Sequence, residues 1–153
     1  MLVPASFKSM CEPGRDGVPV AHAAADLSGF EAPQSAARRI LRETLAGLVD
    51  GERKDDIVLA ADELVGNAVQ HVGTALLGIS LDVYEWGVVV EVTDGGEDSA
   101  SVPSNPSQAG EEDENGRGLL LVDLLASAWN VQPDVKGKRV VAIFLHRVGD
   151  ADR

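Results

Sequence analysis

Residues 55–72, DDIVLAADELVGNAVQHV, decide how the rest of the chain is read. Ile57, Ala61, Leu64, Val65, Ala68 and Val72 recur at the period of an amphipathic helix. Asp55 or Asp56 is placed to cap its start, where a carboxylate suits the positive end of the helix dipole, and Gly73 stops it. Off the apolar stripe stand Glu63, Asn67 and His71, each four residues from the next. A step of four turns about 400°, so the three drift by only about 40° per step along one face. A carboxylate, an amide oxygen and an imidazole thus line one groove. That set suits a hard cation on the Asn67 oxygen, with the Glu63 carboxylate available as a general base. It is also what the solvated face of an ordinary helix looks like. The choice between the two rests on the rest of the chain.

Downstream, residues 76–84 (LLGISLDVY) alternate around Leu77, Ile79, Leu81 and Val83, which predicts a strand. Glu85-Trp86-Gly87 is a tight turn, and residues 88–93 (VVVEVT) return antiparallel to the first strand. A long polar loop covers residues 94–115, a length typical of lids or disordered segments. A helix is expected from about Gly116 to Ser127, then a short strand at 128–132, a turn at 133–137 and a final strand at 139–147. That last strand is too apolar on both faces to lie far from the sheet centre.

Upstream, residues 34–50 (QSAARRILRETLAGLVD) form a second amphipathic helix ended by Gly51. Its Arg38, Arg39 and Arg42 read as a solvated face. Residues 18–26 (VPVAHAAAD) suit an edge strand, which tolerates the proline. Residues 1–17 read as a flexible tail, 18–147 as one domain, and 148–153 as a polar C-terminal tail. Trp129 and Phe144 read as core, and His22 and His146 have no partner within sequence reach. The order β-α-α-β-β-α-β-β, with helices in blocks and strands in hairpins, predicts an α+β two-layer sandwich. A mostly antiparallel mixed sheet would be covered on one face by about three helices.

With 153 residues and an apolar fraction of 44%, one domain has a real core to bury. Aromatics are only 4%, so that core is aliphatic. A single cysteine, Cys11, excludes an internal disulfide. No run approaches a membrane span and the start does not read as a signal peptide, so the cytoplasm is the expected compartment. A formal net charge of −12 opposes direct nucleic-acid binding and docking to an anionic membrane. It leaves room for a nucleotide held by Mg²⁺ and backbone N–H groups.

Two further stretches carry chemistry. Asp94-Gly95-Gly96 ends a strand of buried character. A carboxylate there can accept a hydrogen bond from an exocyclic amine such as that of adenine, and glycine lets a ring approach the backbone. Gly116-Arg117-Gly118 opens a helix, exposing N–H groups to an anion, and Arg117 adds a charge-assisted contact to phosphate. Taken singly, each is also a common turn or a glycine-rich helix start.

Their order and context are more specific. E-x-x-x-N-x-x-x-H on a helix, D-x-G after a hairpin strand, a variable lid, then G-x-G-L opening a helix resembles the N, G1 and G2 boxes of the GHKL (histidine-kinase-like, Bergerat-fold) ATPases. Within that superfamily the chain is most similar to the single-domain bacterial anti-sigma factor serine kinases, whose GRGL-x-LV-x-x-L pattern is matched by residues 116–125, GRGLLLVDLL. The resemblance runs from about residue 33 to 145.

The resemblance implies the Bergerat fold, ATP and Mg²⁺ as ligands, and roles for eight residues. Glu63 would be the catalytic base and Asn67 the Mg²⁺ ligand, with His71 shaping the pocket near the ribose or phosphates. Asp94 would bind the adenine amine, and Gly96 would give the ring room. Gly116, Arg117 and Gly118 would cradle the phosphates, with residues 97–115 as the lid. The implied function is an anti-sigma factor with protein serine/threonine kinase activity on a small anti-sigma-factor antagonist, with a sigma factor as a further partner and a homodimer as the assembly.

Three departures bear on affinity and turnover. Asp98 replaces the second glycine of the G1 box, and residues 137–140 offer no threonine to support the adenine-binding Asp. The lid carries Glu111, Glu112, Asp113 and Glu114, which would repel a triphosphate unless they face solvent. An alternative therefore stands beside the kinase: a nucleotide-binding or nucleotide-free module that regulates transcription only by sequestering a partner protein.

Overall fold

The computed structural model describes residues 18–72, 76–95, 114–134 and 137–146, with residues 71, 72, 114–118 and 134 described as backbone only. The chain runs β1 (Ala21–Asp26), α1 (Pro33–Leu45), α2 (Gly51–Val72), β2 (Gly78–Val83), β3 (Gly87–Asp94), α3 (Glu114–Leu125), β4 (Ala128–Asp134) and β5 (Gly137–Leu145). The five strands form one sheet in the order β1-β2-β3-β5-β4. All four pairings are antiparallel. The architecture is the α+β two-layer sandwich expected from the sequence, with β1 on an edge and β5 inside the sheet beside β3.

Alternation decides which face is covered. Ile79, Leu81, Val83, Val88, Val90, Val92, Val140, Ala142 and Phe144 join the core that the helices close over. From the helices, Leu41, Leu45, Ile57, Leu64, Val65, Leu119 and Val122 complete it. Trp129 and Phe144 are core, as their apolar surroundings in sequence suggested. The opposite face holds a small cluster of Val89, Ala128, Val141 and Ile143, against which Tyr84 and Trp86 pack. The two aromatic rings stack with centroids 4.9 Å apart.

Helix boundaries differ from the expected ones for local reasons. α1 begins on Pro33, whose fixed φ suits a first helical turn. It ends at Leu45, five residues early, because Gly47 takes φ +76° and turns the chain out of the helix. α2 then starts at Gly51, so the glycine expected to end one helix begins the next. The cap is Asp50 rather than Asp55 or Asp56: its Oδ1 accepts from the Arg53 backbone N–H at 3.0 Å. Asp55 instead pairs with Arg42 at 3.2 Å and Asp62 pairs with Arg38 at 2.5 Å, so two arginines of the supposedly solvated face bridge α1 to α2. His22 and Asp82, direct cross-strand partners, meet at 2.5 Å, and His146 Nε2 lies 3.2 Å from the Tyr84 carbonyl. Both histidines find partners that only the sheet brings near.

Arg53 ties the layers together. Its side chain is buried, donating to the Leu125 carbonyl at 3.1 Å, the Leu145 carbonyl at 2.9 Å and Ser127 Oγ at 3.3 Å. The guanidinium also lies 5.5 Å from the Phe144 ring centroid and 3.8 Å from Asp56. One cation thus holds the start of α2, the end of α3 and the end of β5. Arg53→Ala is expected to cost about 3 kcal/mol, because it strands acceptors that the fold has already desolvated. Arg42→Ala, at an exposed pair, should stay within about 0.5 kcal/mol of wild type. Urea unfolding of both variants checks the contrast.

Candidate functional site

Three chain ends converge at one edge of the core. The first is the lead into β2, where Leu76 turns the backbone at φ +55°. The second is the exit of β3, where Asp94 is followed by Gly95. The third is the entry of β5 at Gly137 and Lys138. Their closeness is measured by what the glycines exclude: a Cβ on Gly95 would fall 2.5 Å from Leu76 Cδ1, and one on Gly137 would fall 2.1 Å from the Asp94 carbonyl oxygen. No side chain fits at either position without moving the backbone.

Glu63 and Asn67 stand on α2, one helical turn apart. Asn67 is 8% exposed, and among the described residues its Oδ1 is buried with no hydrogen-bond partner. A buried amide oxygen left unpaired costs free energy, so it marks either a defect or a ligand site. Glu63 is half-buried. Burial first, and then the neighbouring Asp62 carboxylate, hold its carboxyl above its ordinary value.

Asp94 is buried on the helix-facing side of β3, in line with Val88, Val90 and Val92. Directly across the ladder stands Lys138, 3.6 Å from Asp94 Oδ2, with side-chain exposures of 1% and 3%. Sequence reading missed this lysine. The signal was present: along β5 the inward positions run Lys138, Val140, Ala142, Phe144, and a charge at the head of an apolar row needs a counter-charge. Only the β3–β5 register says which carboxylate supplies it.

Of the other expected site residues, His71 lies in the last turn of α2, and Gly116, Arg117 and Gly118 lie in the first turns of α3. Their side chains lie outside the described residues, as do Gly96, Asp98 and the acidic run 111–113. A groove of about 520 Å³ adjoins the same edge, lined by Leu76 and Asp94 together with Asp26, Ser80, Glu91 and Thr93. Its carboxylates make it a poor receptor for phosphates, so the chemistry points to the helix side.

A family model described as a histidine kinase-like ATPase domain matches residues 31–144. Among solved structures, the chain is similar to the RsbU and RsbW domains of Rv1364c from Mycobacterium tuberculosis, at 22% identity and a TM-score of 0.62. That match covers 84% of this chain and 34% of the other, so the chain spans about a third of that structure's length. It is also similar to the SiaB–SiaC complex from Pseudomonas aeruginosa, at 14% identity and a TM-score of 0.53, covering 82% of this chain and 91% of the other. No protein of curated function matches the sequence.

Two measurements test the site as a physical object. Because the folded state binds a proton on Glu63 more tightly than the unfolded chain does, this group's contribution to stability is present at low pH and is lost as pH rises through the raised value. Glu63→Gln is therefore expected to be as stable as wild type or more so at neutral pH, with the difference closing as pH falls toward the ordinary glutamate range. Urea melts across pH read it. For the buried pair, Lys138→Met alone should cost about 3 kcal/mol or more, while Asp94→Leu combined with Lys138→Met should recover most of that loss.

Proposed function

We propose, from the premise that the chain belongs to the histidine kinase-like ATPase domain family, that it binds ATP and transfers the γ-phosphoryl group to a Ser or Thr hydroxyl on a small partner protein. The observation that carries this reading is the unpartnered Asn67 Oδ1, buried one turn from a carboxyl held above its ordinary value. An oxygen without a donor suits a hard cation. Among the described residues no group of three His, Cys, Asp or Glu could hold a metal by itself. Asn67 would hold a Mg²⁺, which when bound would neutralise phosphate charge.

The residues then divide the work. Asp94 accepts from the adenine amine, and Gly96 leaves the ring room. Gly116, Arg117 and Gly118 meet the phosphates at the start of α3, where backbone N–H groups favour anions. His71 shapes the pocket beside them. Glu63 takes the proton from the incoming hydroxyl as its oxygen bonds to the γ-phosphorus and ADP departs. Burial, which raises the proton affinity of this carboxyl, makes it a better match for that proton transfer than an ordinary one.

The partner class comes from the resemblance in sequence and from the two structural neighbours. One holds RsbU and RsbW domains in one chain, and the other is SiaB in complex with SiaC. An anti-sigma-factor antagonist is the substrate that fits, with a sigma factor as a second partner. The acidic run Glu111, Glu112, Asp113 and Glu114 favours a second reading, a module that sequesters its partner without phosphorylating it.

Isothermal titration with ATP and Mg²⁺, followed by a transfer assay on candidate antagonists, separates the two. Glu63→Ala is expected to bind nucleotide within about twofold of wild type and to lose transfer by roughly a hundredfold or more, the usual weight of a general base. Asn67→Ala is expected to lose the Mg²⁺-dependent part of nucleotide affinity. Undiminished transfer by Glu63→Ala removes that residue from the role. Absence of nucleotide binding in wild type leaves only the sequestering module.

A further inference from the structure

β1 is an edge of the sheet, paired with β2 on one side only. The Leu27 backbone N–H donates to the Leu77 carbonyl at 2.8 Å, which continues the β1–β2 register by one pair. Bonded and non-bonded pairs alternate along an antiparallel ladder, so Ala21, Ala23 and Ala25 turn their N–H and C=O groups toward β2 as Leu27 does. His22, Ala24 and Asp26 turn theirs outward, to the free edge. Sheet edges are commonly blunted by proline, lysine or charge. β4, the opposite edge, ends in Pro133 and Asp134. Within β1 stand neither proline nor lysine, and Ala24 is the centre of its outward row.

That outward row is self-complementary. His22 and Asp26 flank Ala24 symmetrically, and all three are exposed, alternating with Ala21 and Ala25, which pack against the core. We propose that the outer edge of β1 docks a second copy of this chain, antiparallel about a two-fold axis at Ala24, so that the two sheets join into one. Ala24 then stands opposite the partner's Ala24, and His22 opposite the partner's Asp26. Each such pair exchanges two hydrogen bonds, made by N–H and C=O groups that no described strand meets. The side chains match as well. His22 Nδ1 meets Asp82 at 2.5 Å, which leaves its second ring nitrogen, and Asp26 accepts from the Ser28 N–H with no cation beside it among the described residues. An axis centred on His22 or on Asp26 would instead set like groups against each other, so the charges select Ala24. Beyond the strand, the exposed Val18 and Val20 before β1 come beside the partner's Phe30, which is exposed too. The interface is isologous and closed, so it ends at a dimer. A strand of six residues buries less than a standard interface, and the dimer is accordingly weak.

Sedimentation velocity of the full-length protein from about 1 to 200 µM tests this. Wild type is expected to pass from monomer to dimer with a dissociation constant in the micromolar range. Ala24→Pro removes an N–H that the β1–β2 ladder does not use, and an edge strand tolerates proline there. It is expected to weaken association by roughly tenfold or more, with circular dichroism verifying its fold. The register is read separately, by cross-linking with a short bismaleimide in a Cys11→Ser background. Ala24→Cys is expected to give cross-linked dimer, because the Cα atoms of such a pair lie about 5.5 Å apart. His22→Cys and Asp26→Cys, each alone, are expected to give little, because the two copies of either residue would lie about 15 Å apart. That contrast stands even if Ala24→Pro does not fold. Wild type that stays monomeric at the top of the range overturns the proposal. So does a dimer that Ala24→Pro leaves unchanged, and so does cross-linking through His22→Cys as ready as through Ala24→Cys. None of these outcomes bears on nucleotide binding, so the proposed activity stands or falls separately.

Discussion

The buried guanidinium of Arg53 is the constraint that the two layers share. A charge in an aliphatic core is tolerable only if polar partners meet it, and here the terminal guanidinium nitrogens donate to the Leu125 and Leu145 carbonyls and to Ser127 Oγ. Ser127 Oγ also accepts from the Leu145 backbone N–H at 2.9 Å, and the Ser127 backbone N–H donates to the Ile143 carbonyl at 2.8 Å. The start of α2, the last turn of α3 and the end of β5 are therefore held by one polar node with Phe144 beside it. Hydrophobic burial pulls helices onto a sheet without saying where along the sheet they stop. A directional node does say it, and so it sets where along the sheet α2 begins.

That position has its consequence some twenty residues later. α2 is a rigid rod pinned at its N-terminal end, with an Asp50 cap and Arg53 behind it. The polar groups that apolar packing does not explain are Glu63 and Asn67 on α2 and the strand pair Asp94 and Lys138. The α2 groups come before the helix exit, and the strand pair comes from the adjacent ladder positions. Among the described residues, the Asn67 side-chain oxygen on α2 is buried without a hydrogen-bond partner.

The two faces of the sheet divide stability from chemistry. The helix side carries the large aliphatic core and, at its edge, the candidate site. The open side carries a small apolar cluster under the Tyr84–Trp86 stack and a row of surface pairs, Ser80 with Glu91, Glu91 with Arg139, and Arg139 with Gln132. Exposed pairs of this kind add little stability. They do keep a broad antiparallel face polar, apart from the cluster at one end.

Much of this was legible in the chain itself, because it depends on period and local chemistry. The 3.6-residue stripes of both long helices, the alternation of residues 77–83 and the order of the elements are local properties, and the α+β sandwich follows from them. So does the spacing of Glu63 and Asn67 on one helix face. What needed the tertiary structure are the relations between residues far apart in sequence. The cap moved from Asp55 or Asp56 to Asp50 because Gly47, not Gly51, turns the chain out of α1. His22 found Asp82, and Arg38 found Asp62, across strands and helices that sequence spacing cannot connect. Above all, nothing in a linear reading pairs Asp94 with Lys138 or Arg53 with the ends of α3 and β5. Charge burial is decided by strand register and helix placement, and those are set only when the whole core closes.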